Sequence, residues 1–250
     1  MNVKIIITDE LFKNLQIKVR EKMLPHQWLA LNDKFDGEQK SHAVRNLKIA
    51  AEHDEKSASM VEYGDFAKES DLCKWMEAAA YSLADFKDEK LENVMDELSD
   101  LFAKAQADDG YLNTYYIAKG EKQRFNCLSE MHELYCAGHL MEAAVAYYKA
   151  TGKRELLDCM EKYADCIERV FVKEDSAAFN TPGHEEIELA LVKMAECTGK
   201  EKYLDLARYF VNTRGTSEKD ESSPYFISQA YSQSHMPVRN MREAVGHCVR

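Results

Sequence analysis

The residues most suited to chemistry lie in "SEMHELYCAGH", residues 129–139. A continuous helix through this stretch puts His132, Cys136 and His139 on one side, because Cys136 is one turn and His139 nearly two turns from His132. A His and a Cys at i and i+4 can reach one zinc ion, but the helix supplies no convincing further ligand. Glu130 and Glu133 bracket the first histidine, and Leu134, Ala137, Leu140, Met141, Ala144 and Tyr148 form an apolar stripe. A core histidine satisfied by a neighbouring carboxylate fits that pattern too. A metal site, a ligand-binding wall and a buried seam are all compatible with the spacing.

Two further stretches concentrate histidine. In "NTPGHEEIELAL" the sequence predicts a helix capped by Thr181, with Pro182, His184, Glu185 and Glu186 in its first turn. Carboxylates there complement the helix dipole, which accounts for the glutamates and leaves His184 unexplained. In "SQSHMPVRNMREAVGHCVR", Gly246 stands beside His247 inside an apparent helix. That placement costs about 1 kcal/mol relative to alanine and points to a close approach by another helix or a ligand. "ADDGYLNTYY" at 107–116 turns at Asp109 and Gly110, then carries more aromatic and polar residues than a linker needs. It reads as a hairpin connection or as a loop lining a site. There is no phosphate loop, nucleophile elbow or thioredoxin motif.

Helices must position these residues. Ten Gly and 4 Pro in 250 residues leave few breakers, and from Ser41 onward apolar residues recur at three and four spacing. Helices are expected over roughly 10–23, 41–53, 70–84, 88–107, 129–150, 154–171, 184–197, 201–213 and 239–250, with "VKIIIT" near the N-terminus as a strand. "TGK" at Thr151 recurs at Thr198, with Leu157 and Asp158 matching Leu204 and Asp205. In both copies a Gly ends one helix where positive φ is needed, so each unit is a helical hairpin. Stacked hairpins build an open solenoid or a closed α/α toroid, and periodicity does not separate the two. No Pro-, Gly- or Ser-rich linker divides residues 1–250, which read as one all-α domain.

Forty-four acidic against 33 basic residues give a formal net charge of -11. That field disfavours nucleic acid and anionic membranes as partners. The N-terminal apolar run is too short for a secretory core or a bilayer span, so a cytoplasmic location is expected. Seven cysteines without a CxxC pair read as reduced packing residues.

Taken in order, "DGYLNTYY", "HELYCAGHLMEAAVAYYKATGKRELLD", "TPGHEEIELALVKMAECTGKEKYLDLARYF" and "HMPVRNMREAVGHCVR" resemble the N-terminal and middle part of the catalytic domain of glycoside hydrolase family 127, the β-L-arabinofuranosidase-like enzymes. The resemblance implies an (α/α)6 barrel followed by β-sandwich domains. It also implies a retaining reaction on terminal L-arabinofuranose or related sugars, with a nucleophile and a general acid/base flanking the bond. The family's nucleophile is a Cys thiolate held deprotonated by zinc. By motif, His132, His184 and His247 would hydrogen-bond sugar hydroxyls, with Gln27 in "LPHQWLALND" a further candidate. Imidazole suits that role because one nitrogen donates and the other accepts. On this reading Cys136 and His139 pack.

One departure is large. The family's Glu-x-Cys and Cys-Cys motifs occur nowhere in these 250 residues. No catalytic residue and no cofactor is therefore assigned in this chain, although zinc is expected in complete family members. About nine helices fall short of the 12 that six hairpins need. The expectation is an incomplete (α/α)6 toroid, inactive alone, whose bare apolar faces favour self-association or a C-terminal partner chain. The alternative is a non-enzymatic helical-hairpin scaffold that binds a protein partner.

Overall fold

Asp88 starts a helix by accepting hydrogen bonds from the backbone N–H groups of Lys90 and Leu91 at 3.0 and 3.1 Å. Asp9 does the same for Leu11 and Phe12. The computed structural model describes residues 6–36, 40–53, 68–119, 124–216 and 233–246. Among these residues the regular structure is entirely helical. After α1 (Glu10–Lys18) come α2 (Leu24–Leu31) and α3 (Ala43–Glu52), then α4 (Lys68–Asp85) and α5 (Glu89–Ala105). Two short helices follow, α6 (Thr114–Lys119) and α7 (Leu128–Met131). The chain then forms α8 (Glu133–Thr151), α9 (Glu155–Glu168), α10 (Ile187–Thr198) and α11 (Glu201–Thr213).

The pairs α4/α5, α8/α9 and α10/α11 are hairpins laid side by side. Helix α8 packs most heavily on α4, then on α10, while α5 lies against α3 and α9. Helix α2 contacts α4, so α2, α4, α8 and α10 make one layer and α3, α5, α9 and α11 a second. Lys200–Glu161 and Lys202–Asp165 ion pairs join α9 to α11. The Trp75 indole donates to the Leu24 carbonyl at 3.0 Å and stacks on Trp28, fastening α4 to α2. The result is a two-layered set of hairpins laid side by side. Helix α8 is buried nearly all round because it has neighbours on both sides within its layer as well as behind it.

The repeat predicted from "TGK" is a repeat in space. Gly152 and Gly199 cap their helices at φ 79° and 71°. Thr151 and Thr198 each bond back to the carbonyl four residues earlier at 2.8 Å. Each threonine then accepts from the lysine N–H two residues on.

The helix expected over 10–23 runs on to Leu31, and further boundaries differ from expectation. The helix expected over 129–150 breaks at His132, whose backbone is left-handed at φ 56°. The helix expected from His184 begins at Ile187, so Thr181 is not its cap and Glu185 and Glu186 precede it. Finally, 239–250 is not one helix: Val238–Asn240 is a single 3-10 turn and 241–246 are irregular. Gly246 there has φ 90°, a conformation a helix cannot use. Of the expected strand, Ile6–Thr8 are not in a strand, and the rest lies outside the described residues.

The "DGYLNT" loop is a buried node. Asp109 takes the Tyr111 N–H and the guanidinium groups of Arg124 and Arg169. Tyr111, Leu112, Asn113 and Thr114 are all buried. Thr114 donates through its N–H and hydroxyl to Glu69 at 2.8 and 2.7 Å. This loop is internal packing between hairpins.

Candidate functional site

The break at His132 sends consecutive side chains in opposite directions. Glu133 turns into the core, where its carboxylate accepts from the Tyr111 hydroxyl at 2.5 Å and the Phe125 N–H at 2.9 Å. Burial pushes its carboxyl up to about 7, against the lowering pull of those hydrogen bonds. His132 instead meets His184, with ring centroids 4.6 Å apart and planes 33° from one another. Of the two glutamates bracketing His132, Glu133 is thus committed to Tyr111 and Phe125.

Tyr135, one turn into α8, sits among three imidazoles. Its ring lies 5.8 Å from His132, 5.2 Å from His184 and 4.5 Å from His139, the last edge-on. Lys74 of α4 donates to the Tyr135 hydroxyl at 2.8 Å. The same lysine lines an open pocket of about 390 Å³ with Gln27, Asp71 and Trp75. Gln27 is exposed on α2, so Lys74 is the link between its pocket and the histidine cluster. His132, Tyr135, His184 and Lys74 are half-buried.

The segment carrying His184 is pinned from behind. Arg214, at the end of α11, is 2% exposed and donates to the Pro182 carbonyl at 3.0 Å. Its guanidinium also pairs with Glu185 at 3.0 Å and Glu188 at 3.5 Å. From the front, Gly138 allows the segment to touch α8: a Cβ there would lie 2.7 Å from Glu186 Cγ and 2.9 Å from the Ile187 nitrogen. Close backbone approach therefore occurs at Gly138.

His139 faces that contact. Its Nδ1 lies 3.1 Å from Glu186 Oε1 and 3.7 Å from Glu142 Oε2. Burial, aided by the Lys74 charge, lowers the imidazole to about 4, so it is neutral near pH 7 and these contacts are not ion pairs. Burial and the neighbouring Glu142 carboxylate push Glu186 up to about 9. Burial works against ionisation of Glu142 too, but hydrogen bonds from Glu186 and Lys193 outweigh it and hold Glu142 below the usual range. At neutral pH the two glutamates therefore share one proton, with Lys193 beside Glu142.

Of the four residues singled out from sequence, the structure brings His132 and His184 together and puts Gln27 across Lys74 from them. His247 lies outside the described residues. Sequence reasoning missed Tyr135, whose place three residues after His132 and four before His139 puts it on their helix face. It also missed Lys74, for which no local signal exists. His139, expected only to pack, is in direct contact with Tyr135.

The described cysteines do not fit a zinc–thiolate centre. Cys73, Cys136, Cys159 and Cys166 are buried, and burial pushes all four thiols up, Cys159 to about 12 and Cys166 to about 11. Among the described residues no cysteine belongs to a cluster of three or more metal-binding side chains.

The family model "Beta-L-arabinofuranosidase, GH127 catalytic domain" matches residues 2–250. A non-reducing end β-L-arabinofuranosidase of Bifidobacterium longum subsp. longum is 36% identical over 278 residues, covering 99% of this chain and 42% of that protein. The crystal structure of a GH127 β-L-arabinofuranosidase from Geobacillus stearothermophilus T6 superposes with a TM-score of 0.89 at 42% identity. It covers 99% of this chain and 40% of the other. A second GH127 β-arabinofuranosidase structure gives a TM-score of 0.83 at 33% identity, over 97% of this chain and 37% of that one. The chain therefore spans about two fifths of the length of these relatives. Their (α/α)6-type toroid selects the toroid over the open solenoid as the architecture to which these hairpins belong.

Proposed function

The chain belongs to the glycoside hydrolase family 127 catalytic-domain family, and from that premise we propose that it is the sugar-holding N-terminal and middle part of a retaining glycoside hydrolase acting on β-L-arabinofuranosides or related sugars. The observation that carries this reading is the His132–His184 pair at 4.6 Å, supplied by two different hairpins. Two imidazoles side by side offer donors and acceptors to adjacent hydroxyls of one furanose ring. Tyr135 and Lys74 complete the polar wall, Gln27 approaches from the neighbouring pocket, and His247 is the third imidazole of the reading.

The chain is proposed to be catalytically incomplete alone. Support comes from the absence of Glu-x-Cys and Cys-Cys anywhere in its 250 residues and from the thiols of Cys73, Cys136, Cys159 and Cys166, all pushed up by burial. Zinc belongs, in this reading, to complete family members. The described cysteines are free thiols, which fits a reducing, cytoplasmic setting. Among the described residues no helix is long and apolar enough to cross a membrane. Leu11, Phe12 and Leu15 are exposed on α1, which supports self-association or a C-terminal partner chain.

The test is titration of the pure chain with L-arabinose, followed by histidine ring resonances. Shifts confined to His132, His184 and His247 are expected. Absence of any shift at millimolar sugar rejects the binding site, and release of arabinose from a synthetic β-L-arabinofuranoside rejects the incompleteness.

A further inference from the structure

His139 is surrounded as a metal ligand is, and unlike a satisfied core histidine. Both of its ring nitrogens are buried without a hydrogen bond, and so is Glu186 Oε1, which faces Nδ1 at 3.1 Å. Glu142 approaches from the same helix three residues on, with Oε2 at 3.7 Å, while Lys193 occupies its other oxygen, Oε1. The three ligand atoms all lie within 4.8 Å of one another. Zinc bonds of about 2.0–2.2 Å in a tetrahedral shell set ligand atoms about 3.3 Å apart, which the two contacts bracket. Side chains are 12%, 7% and 12% exposed for His139, Glu142 and Glu186, so the cluster is set into the protein between two hairpins.

We infer that His139, Glu142 and Glu186 form a binding site for one divalent first-row transition-metal ion of zinc type, held by nitrogen and oxygen ligands. His139 and Glu142 are at i and i+3 on α8, the spacing by which one helix presents two ligands to one ion. Glu186 comes from the entry to α10 and reaches them because Gly138 has no Cβ to hold it away. The ion would engage one His139 ring nitrogen and Glu186 Oε1, buried polar atoms that have no hydrogen bonds. It ties α8 to α10 next to Tyr135, which touches both His139 and His184. This site is separate from any thiolate-bound zinc and does not depend on the sugar-binding reading.

The test uses the full 250-residue chain freed of metal by chelation. Zinc binding is followed by calorimetry and cobalt(II) binding by visible absorption. One equivalent of each is expected, with weak ligand-field bands and no thiolate-to-cobalt charge transfer. His139→Gln and Glu186→Gln are each expected to weaken zinc by about 100-fold or more, since even outer-shell partners contribute 10–100-fold. A Cys136→Ala control keeps the affinity. In the unaltered chain, zinc shifts the His139 ring resonances, a readout that needs no variant to fold. No stoichiometric binding, thiolate charge-transfer bands, or affinity unchanged in both folded variants overturns the site.

Discussion

The Arg214 guanidinium donates to the Pro182 carbonyl at 3.0 Å, joining the end of α11 to the loop that carries His184. The same group faces Glu185 and Glu188, and its side chain is only 3% exposed. Arg214→Met leaves those carboxylates in place without their cation. Breaking a buried pair by removing one partner costs about 3–5 kcal/mol, and that loss of stability is expected in urea unfolding. Because the loop also loses its anchor, the His184 ring resonances broaden or shift in the folded variant.

Glu133 makes stability depend on pH. Burial raises its carboxyl from an ordinary 4.5 to about 7 in the fold. A raised carboxyl stabilises the fold fully below about 4.5, and that contribution is lost as pH rises through about 7. At 1.36 kcal/mol per unit the change is on the order of 3 kcal/mol. Urea unfolding at pH 5 and pH 8 checks it: Glu133→Gln flattens the fall that the unaltered chain shows between those values.

The glycines at helix ends separate conformational strain from steric conflict. Gly152 and Gly199 have positive φ and nothing within 4 Å of an added Cβ, so alanine at either position costs about 1–2 kcal/mol of backbone strain alone. At Gly110, also at positive φ, the added Cβ meets the Lys162 carbonyl oxygen at 2.5 Å. Gly110→Ala therefore destabilises by distinctly more than either repeat glycine, as measured by denaturant midpoints.

Lys74 is expected to matter to sugar binding without contacting the imidazoles. Its hydrogen bond at 2.8 Å fixes the Tyr135 hydroxyl, and Tyr135 touches both His132 and His184. Lys74→Met removes a charge-assisted bond, and a tenfold loss, about 1.4 kcal/mol, is expected in L-arabinose affinity. Lys74→Arg retains a donor and recovers part of it. Equal affinity in all three chains removes Lys74 from the site.

The residues themselves were enough for the fold class, the hairpin unit and the family. Apolar spacing of three and four, scarce Gly and Pro, and two "TGK" caps are local signals, because each depends on helix geometry within a turn or two. The site was only half legible. His132 and His184 stood out through their motifs, but their meeting needed α8 and α10 side by side and Gly138 to let the loop close. The break at His132, the late start at Ile187 and the irregular chain over 241–246 go with long-range partners. Glu133 is claimed by Tyr111 and Phe125, the Pro182 loop by Arg214, and the chain at Met236 by close contact with Gly215. Lys74 was invisible for the same reason, and Glu186 was read only as complementing a helix dipole. A hydrogen bond or ligand cluster between distant residues leaves no periodicity in the chain, so only tertiary packing determines which side chains share a site.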